Sequence, residues 1–256
     1  MIFFVITIIL LGFLISYMFY EAFQNNVREI TLEFNTFPAS IDSFKMFFIS
    51  DIHRRNIADE IINKVKGEVD CVVIGGDLME KGVPFSRVKA NLQKLKEVGP
   101  IYFVWGNNDY EVDYHQLDAL LLDYGVKILD NTAETLESAQ GEKIIMIGVD
   151  DMTYMRDRVD LALLDAEQDG FKILISHNPK IIQKITMEDD IKLILSGHTH
   201  GGQIRFLKWG LYEKGKLRKV DSTNILVSNG YGTTGLPLRL GAPSETHLIT
   251  LKKCDE

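Results

Sequence analysis

The sequence has little cysteine, no surplus of positive charge and no seams. Its two cysteines, Cys71 inside an apolar run and Cys254 near the end, cannot build a disulfide framework, so neither a stapled small fold nor a redox compartment follows from them. Lys and Arg number 28 against 36 Asp and Glu, a formal net charge of −8. Broad, sequence-independent duplex binding rests on a surplus of Lys and Arg, and that class is disfavoured here. No repeat, linker or low-complexity stretch marks a domain boundary. The first 20 residues, MIFFVITIILLGFLISYMFY, hold no charged side chain. No Lys or Arg precedes this run and no Ala-x-Ala site follows it, which argues against a cleaved leader.

What is present begins with that run. About 20 apolar residues are what a helix needs to cross the hydrocarbon of a bilayer, and Tyr17 and Tyr20 sit where an interfacial belt would lie. The reading is a single N-terminal membrane anchor over residues 1–20, with its orientation open because Arg28 and Lys45 are the nearest flanking basic residues. About 235 residues remain, enough for one large α/β domain with its own core, placed at 27–256.

Apolar runs rich in Val and Ile predict strands at 27–34, 44–50, 69–75, 100–106, 125–129, 143–149, 171–176 and 191–196. Their weak alternation predicts cover on both faces. Helical patterns at 57–65, 86–98, 114–125 and 160–168 lie between them. Alternation of strand and helix is the signature of crossover units around a mostly parallel sheet. After residue 201 the character changes: GQIRFLKWG, KLRKV, NILVSNG and THLITLK read as short strands joined by Gly, Asn and Asp turns.

Several of these strands end in metal-binding residue types. FFIS runs into Asp51 and His53, VVIG into Asp77, YFVWG into Asn107, Asn108 and Asp109, ILIS into His177 and Asn178, and LILSG into His198 and His200. In open α/β sheets ligands gather beyond the carboxyl ends of strands. Capping accounts for any one of these residues alone; five coincidences at one edge are harder to assign to capping. Carboxylate, imidazole and amide oxygen without thiolate suit Mn²⁺, Fe²⁺ or Zn²⁺ in a reactive site better than a structural zinc. Residues two apart in an extended segment point the same way, so Asp51/His53 and His198/His200 can each address one cavity. Seven candidate ligands exceed the needs of one ion. A carboxylate such as Asp77 can bridge two ions about 3.5 to 4 Å apart, the arrangement that clamps a phosphoryl group.

In order, SDIH, GGDLME, GNND, SHNP and GHTHGGQ resemble the motif series of the calcineurin-like metallophosphoesterases. The likeness runs from about residue 44 to the C-terminus, and NGYGTTGLPLRLGAPSETHLITL is similar to the closing segment of a bacterial membrane-associated branch. That branch holds exported phosphoesterases and enzymes cleaving UDP-2,3-diacylglucosamine. The resemblance implies an α/β fold, a four-layer α/β/β/α sandwich of two mixed sheets. It also implies one metal among Asp51, His53, Asp77 and His200, and a second among Asp77, Asn107, His177 and His198, Mn²⁺ in the first instance with Zn²⁺ or Fe²⁺ as alternatives. Asn108 departs from the pattern, which has His there. An Asn donates a hydrogen bond but cannot supply a proton near neutral pH. Losing general acid catalysis costs about 10² to 10⁴ in rate, so either another group, such as Asp109, protonates the leaving group, or the leaving group is one that needs no proton.

The expected activity is hydrolysis of a phosphodiester or pyrophosphate by in-line attack of a water activated between two ions, with Asp77 and Asn108 as catalytic residues and Arg54 and Asn178 touching phosphate. Gly201 and Gly202 are expected to turn the chain away and to spare the substrate oxygen a Cβ. An anchor favours a phosphorylated or nucleotide-linked lipid as substrate. Arg205, Lys208, Lys214, Lys216, Arg218 and Lys219 form a basic segment suited to anionic headgroups, and GLPLRLG is apolar enough to line an acyl-chain entrance. Two other readings stay open: a nucleotide or nucleic-acid phosphodiesterase, and a scaffold that keeps the fold without turnover.

Overall fold

The structure, a computed structural model, describes residues 1–254 except Lys208. It opens on α1 (Ile2–Ala22), a helix of 21 residues in which an 18-residue window has mean hydropathy 2.7. From Ile2 to Tyr17 every residue of α1 is exposed; Met18, Glu21 and Ala22 are buried against the domain.

Two six-stranded mixed sheets follow. The first holds β1 (Asn26–Phe34), β2 (Phe44–Ile49), β3 (Cys71–Ile74), β4 (Ile101–Phe103), β5 (Lys127–Ile128) and β12 (Glu245–Lys253), in the order β1-β12-β2-β3-β4-β5. Pairing is parallel except between β12 and β2, where His247 faces Phe48 and Leu251 faces Phe44. The second holds β6 (Thr132–Glu137), β7 (Lys143–Val149), β8 (Phe171–Ser176), β9 (Ile191–Ser196), β10 (Lys216–Val220) and β11 (Thr223–Val227), in the order β10-β11-β9-β8-β7-β6. Its four central strands are parallel and its two edges antiparallel.

The period of two along each strand explains the layers. In β2, Met46 and Phe48 face the interior between the sheets, where Val73 and Tyr102 meet Met146, Ile173, Ile175 and Leu195. Phe47 and Ile49 face the other way, under Ile61 and Val65 of α2 (Asp59–Val65), Val88 and Leu92 of α3 (Phe85–Lys96), and Leu117 and Leu121 of α4 (Tyr114–Asp123). On the far side, Ile145, Ile147, Leu174 and Ile194 pack with Ala162 of α5 (Val159–Asp165) and Ile181. The result is the four-layer α/β/β/α sandwich. Burial on both faces is why the strands lack alternation.

Three expectations change. The chain builds two sheets where periodicity suggested one, because a strand covered by a second sheet reads the same as one covered by helices. β6, sequence TAETLE, was not among the expected strands: it is an edge strand whose residues are half-buried at most. GQIRFLKWG forms no strand among its described residues; Ile204 makes bridge contacts with Leu240 and Gly241, and Phe206 pairs with Trp209. Its apolar side chains stand in solvent.

Candidate metal centre

The carboxyl ends of β2, β3, β4, β8 and β9 converge between the two sheets. Just beyond them the backbone takes a conformation that side chains rarely adopt. Asp51, His53, Asp77, His198 and His200 have φ of 55°, 50°, 52°, 72° and 49°, five of the eleven non-glycine residues with positive φ among those described. Each such residue costs on the order of 1–3 kcal/mol and persists only where its surroundings fix it. Here they do. Asp51 N–H donates to the Gly76 carbonyl (3.0 Å), while Ile52 and His53 N–H both donate to the Asp77 carbonyl (2.8 and 3.1 Å). Asn108 N–H donates to Asp77 Oδ1 (2.8 Å) and His198 N–H to Asp51 Oδ1 (3.0 Å). Ser50 Oγ donates to Asp51 Oδ2 at 2.6 Å. Gly106 and Gly197 permit this crowding, since a Cβ at either would collide with Asp77 Oδ1 or Asp51 Oδ2.

Asp51, His53 and His200 bring ligand atoms within 4.8 Å of one another, and so do Asp51, Asp77 and His177. The Nε2 atoms of His53 and His200 face each other at 3.1 Å. Asp77 Oδ2 lies 3.7 Å from His53 Nε2 and 3.2 Å from His177 Nε2, so its carboxylate touches both groups. His198 stands at the rim, partly exposed, its ring edge-on to His177 at 5.0 Å. Asn107 Oδ1 is buried with no hydrogen-bond partner. An orphaned amide oxygen, facing imidazole nitrogens and two buried carboxylates form a donor set that fits divalent cations.

The electrostatics agree. Burial opposes charge on His177, but the Asp77 and Asp51 carboxylates and the Gly75 carbonyl push its pKa up to about 10: the cluster favours positive charge. Burial, with the neighbouring His53 and Arg239, holds His200 well below the usual range and therefore neutral, the form that binds metal. The ring orientations are set from behind. His177 Nδ1 donates to the Gly75 carbonyl at 2.8 Å, which turns Nε2 toward Asp77, where a bound cation would take the place of its proton. His53 Nδ1 lies 3.0 Å from Glu80 Oε2.

A cavity of about 320 Å³ opens over the cluster, lined by Asp77, Asn107, Asn108, His198, His200 and Tyr212 among others. Asn108 therefore faces the cavity. Arg54 and Asn178 do not line it: Arg54 pairs with Glu80, and Asn178 Oδ1 caps the following turn by accepting from Lys180 N–H at 3.0 Å. Asp109 is not positioned to donate a proton. It is fully buried, and its two oxygens accept from the N–H groups of Gly106 (2.9 Å), Asp77 (2.8 Å) and Met79 (3.0 Å). The glycine pair has a different reason from the one expected. A Cβ on Gly201 (φ 59°) would strike Asn229 Oδ1, and one on Gly202 (φ 79°) would crowd the Leu211–Tyr212 backbone, so protein and not substrate occupies that space.

Two supporting residues escaped the sequence reading. Glu80 closes GGDLME, and a carboxylate three residues after a proposed ligand was its only signal. Arg239 is fully buried; it donates to the carbonyls of His200 (3.2 Å), Asn229 (2.6 Å), Gly230 (3.2 Å), Gly232 (2.6 Å) and Ala242 (2.8 Å). A lone Arg in the apolar GLPLRLG was the clue.

Comparison with known proteins finds sequence relatives that span this site. The calcineurin-like phosphoesterase family matches residues 44–202, which span the five strand ends. The protein YpbG of Bacillus subtilis is 46% identical over 226 residues, covering 86% of this chain and 87% of its own. The metallophosphoesterase YkoQ of the same organism is 32% identical over 218 residues, covering 77% and 79%. A transmembrane protein with a metallophosphoesterase domain from Danio rerio is 31% identical over 257 residues, 89% of this chain and 57% of that protein. With clustered carboxylates and imidazoles at the strand ends that the family match spans, this chain belongs to the calcineurin-like phosphoesterases and is a metal-dependent hydrolase.

Proposed function

We propose that the protein hydrolyses a phosphodiester or pyrophosphate bond in a phosphorylated or nucleotide-linked lipid, with residues 1–20 as membrane anchor and 27–256 as catalytic domain. Asp51, His53, Asp77 and His200 would hold one divalent cation, and Asp77, Asn107, His177 and His198 the other, with Mn²⁺ preferred. Bound there, the cations lower the pKa of an attacking water and offset charge growing on the phosphoryl oxygens. The observation that carries the chemistry is the 3.1 Å approach of His53 Nε2 to His200 Nε2 beside two buried carboxylates.

Asn108 bears on the choice of bond. Its Oδ1 accepts from Asn107 Nδ2 at 2.9 Å, so the amide group left over is the donor Nδ2. A neutral donor at the cavity wall steadies a phosphoryl oxygen and gives no proton to a leaving group. That supports substrates whose leaving group departs as an anion, a nucleoside phosphate or another phosphate ester.

Support for the membrane part comes from α1. An apolar helix exposed from Ile2 to Tyr17 has no protein surface to bury it, and a bilayer supplies one. The likeness to a protein named as transmembrane points the same way.

The test incubates a lipid extract with wild-type and Asp77→Ala protein and compares them by mass spectrometry. A phosphorylated lipid consumed by the wild type alone is the expected result. If no lipid is consumed while the wild type, given Mn²⁺, hydrolyses bis(p-nitrophenyl) phosphate, the lipid assignment fails and the chemistry stands. Failure of both assays removes the enzymatic reading.

A further inference from the structure

The stretch that failed to become a strand carries apolar surface that the catalytic site leaves unexplained. Phe206 is 73% exposed, Leu207 83%, Trp209 81% and Leu211 82%, and Leu236 on a neighbouring segment is 70% exposed. Phe206 and Trp209 exchange backbone hydrogen bonds of 2.8 and 2.9 Å, closing a tight turn. Such a concentration of large apolar side chains in water marks an interaction surface.

Its attachments indicate the partner. Gln203 Nε2 donates to the carbonyls of Thr234 (3.0 Å) and Leu236 (3.3 Å), and Arg205 N–H donates to the Leu240 carbonyl (2.8 Å). Arg239, between these two leucines, donates its N–H to the carbonyl of Met18 in α1 at 3.0 Å. The apolar turn and the end of the anchor helix are thus fastened to one short segment. The exposed part of α1, Ile2 to Tyr17, spans about 24 Å at 1.5 Å per residue. A bilayer's hydrocarbon is about 30 Å thick. Unbroken exposure of the apolar helix ends at Met18, so a bilayer that covers Ile2 to Tyr17 brings the surface around Met18 to its headgroup layer.

Charge completes the match. Lys214, Lys216, Arg218 and Lys219, following the turn into β10, are all exposed, in a chain of net charge −8. Glu213, 3.2 Å from Lys216, is the acidic residue among them. Lys208, also counted in this basic segment, lies outside the described residues. A Trp, a Phe and leucines beside clustered lysines are the composition of an interfacial membrane contact.

We propose that Ile204, Phe206, Leu207, Trp209 and Leu211, with Leu236, form a second membrane contact that lies in the headgroup layer of an anionic bilayer and holds the mouth of the metal-site cavity against it. Leu211 borders that cavity together with Tyr212, Gln203, His198 and His200, so a lipid phosphate reaches the cluster along the membrane surface and not from bulk water. This rests on the anchor reading given above.

The test uses the full chain in vesicles of phosphatidylcholine and phosphatidylglycerol containing bromine-labelled acyl chains. Of the two tryptophans, Trp105 is buried at 3% exposure, so quenching reports Trp209. A roughly twofold loss of the Trp209 emission is expected for a side chain at the acyl boundary, with none in Trp209→Phe. Protein that floats with the vesicles yet shows no quenching overturns this proposal and leaves the anchor intact; protein that does not float overturns both. A functional arm uses Phe206→Asp with Trp209→Asp. A roughly tenfold loss of turnover on vesicle-borne phosphorylated lipid, with bis(p-nitrophenyl) phosphate hydrolysis unchanged, supports the contact. Equal loss on both substrates, or loss on neither, refutes it.

Discussion

Glu80 Oε2 stands 3.0 Å from His53 Nδ1, with both side chains withdrawn from solvent. The contact has consequences in both directions: burial disfavours charge on Glu80, yet His53 and Arg54 hold its pKa below the ordinary value. A carboxylate behind a ligand histidine fixes the ring and raises its basicity. Glu80→Gln keeps the shape and removes the charge. The expected outcome is a Mn²⁺ affinity weakened about 10- to 100-fold, measured by metal titration, with kcat at saturating Mn²⁺ changed far less than the half-saturation point. An unchanged metal titration would contradict the role.

Asp109 separates two roles by different readouts. It accepts from three buried N–H groups that knot the end of β3 to the end of β4. Burial, and then the Asp77 carboxylate, push the pKa of Asp109 up to about 7; leaving a buried N–H without its acceptor costs about 1–3 kcal/mol, and Asn offers one acceptor oxygen where Asp offers two. Asp109→Asn is therefore expected to lose about 2–3 kcal/mol of stability in denaturant melts, with bound metal lost in parallel. A proton donor would instead leave its mark on the pH–rate profile. Normal stability with a vanished alkaline limb would reinstate the catalytic role.

What the sequence disclosed and what it hid follow from how local each signal was. The candidate groups Asp51, His53 and His200, and Asp51, Asp77 and His177, were legible because each residue follows an apolar run, and ligands collect at such ends. Their left-handed backbone was not legible, since nothing in an Asp or His announces φ near +50°; only the hydrogen bonds from distant strands fix it. Two sheets were invisible to periodicity because either kind of cover erases alternation. Arg239 escaped for a related reason. Its five carbonyl acceptors come from three separate segments, and a buried cation satisfied by backbone leaves no partner residue in the sequence to find.

Arg55 ties α1 to the His53 loop. Its guanidinium donates to the carbonyls of Phe23 (2.8 Å) and Gln24 (2.9 Å), to Asn25 Oδ1 (2.7 Å) and to the Tyr231 carbonyl (2.7 Å), and it lies 3.7 Å from the Tyr231 ring centroid. A Lys ammonium has three donors and no planar face, so it cannot satisfy this set. Arg55→Lys is expected to free the chain just after α1: limited proteolysis between Phe23 and Asn26 should quicken about tenfold, the rate equivalent of 1.4 kcal/mol of local opening. Equal cleavage rates would mean that the apolar contacts of Met18 and Ala22 suffice.

His247 makes stability depend on pH away from the candidate metal centre. It is 3% exposed on β12, with Nε2 3.0 Å from Ser228 Oγ and Nδ1 without a partner. Burial, and then the charge of Arg28, push its pKa down to about 3. Glu245, 3.7 Å away, does not reverse this, for it accepts from Asn229 N–H and pairs with Arg28. An unfolded chain takes up a proton here near pH 6.5. The folded pKa is the lower one, so between those values the unfolded state binds more protons and stability rises with pH. The contribution is complete above about pH 6.5 and drains away as pH falls towards 3, at about 1.4 kcal/mol per unit. Urea melts in mild detergent at pH 7.5 and 5.0 should show the wild type losing about 2 kcal/mol more than His247→Gln does over the same interval. Only the difference in slope counts, because the variant's absolute stability also reflects lost packing against Phe48, whose ring centroid is 6.1 Å away. Parallel pH profiles would mean that His247 is protonated in the folded state and that its surroundings hold a charge which burial alone forbids.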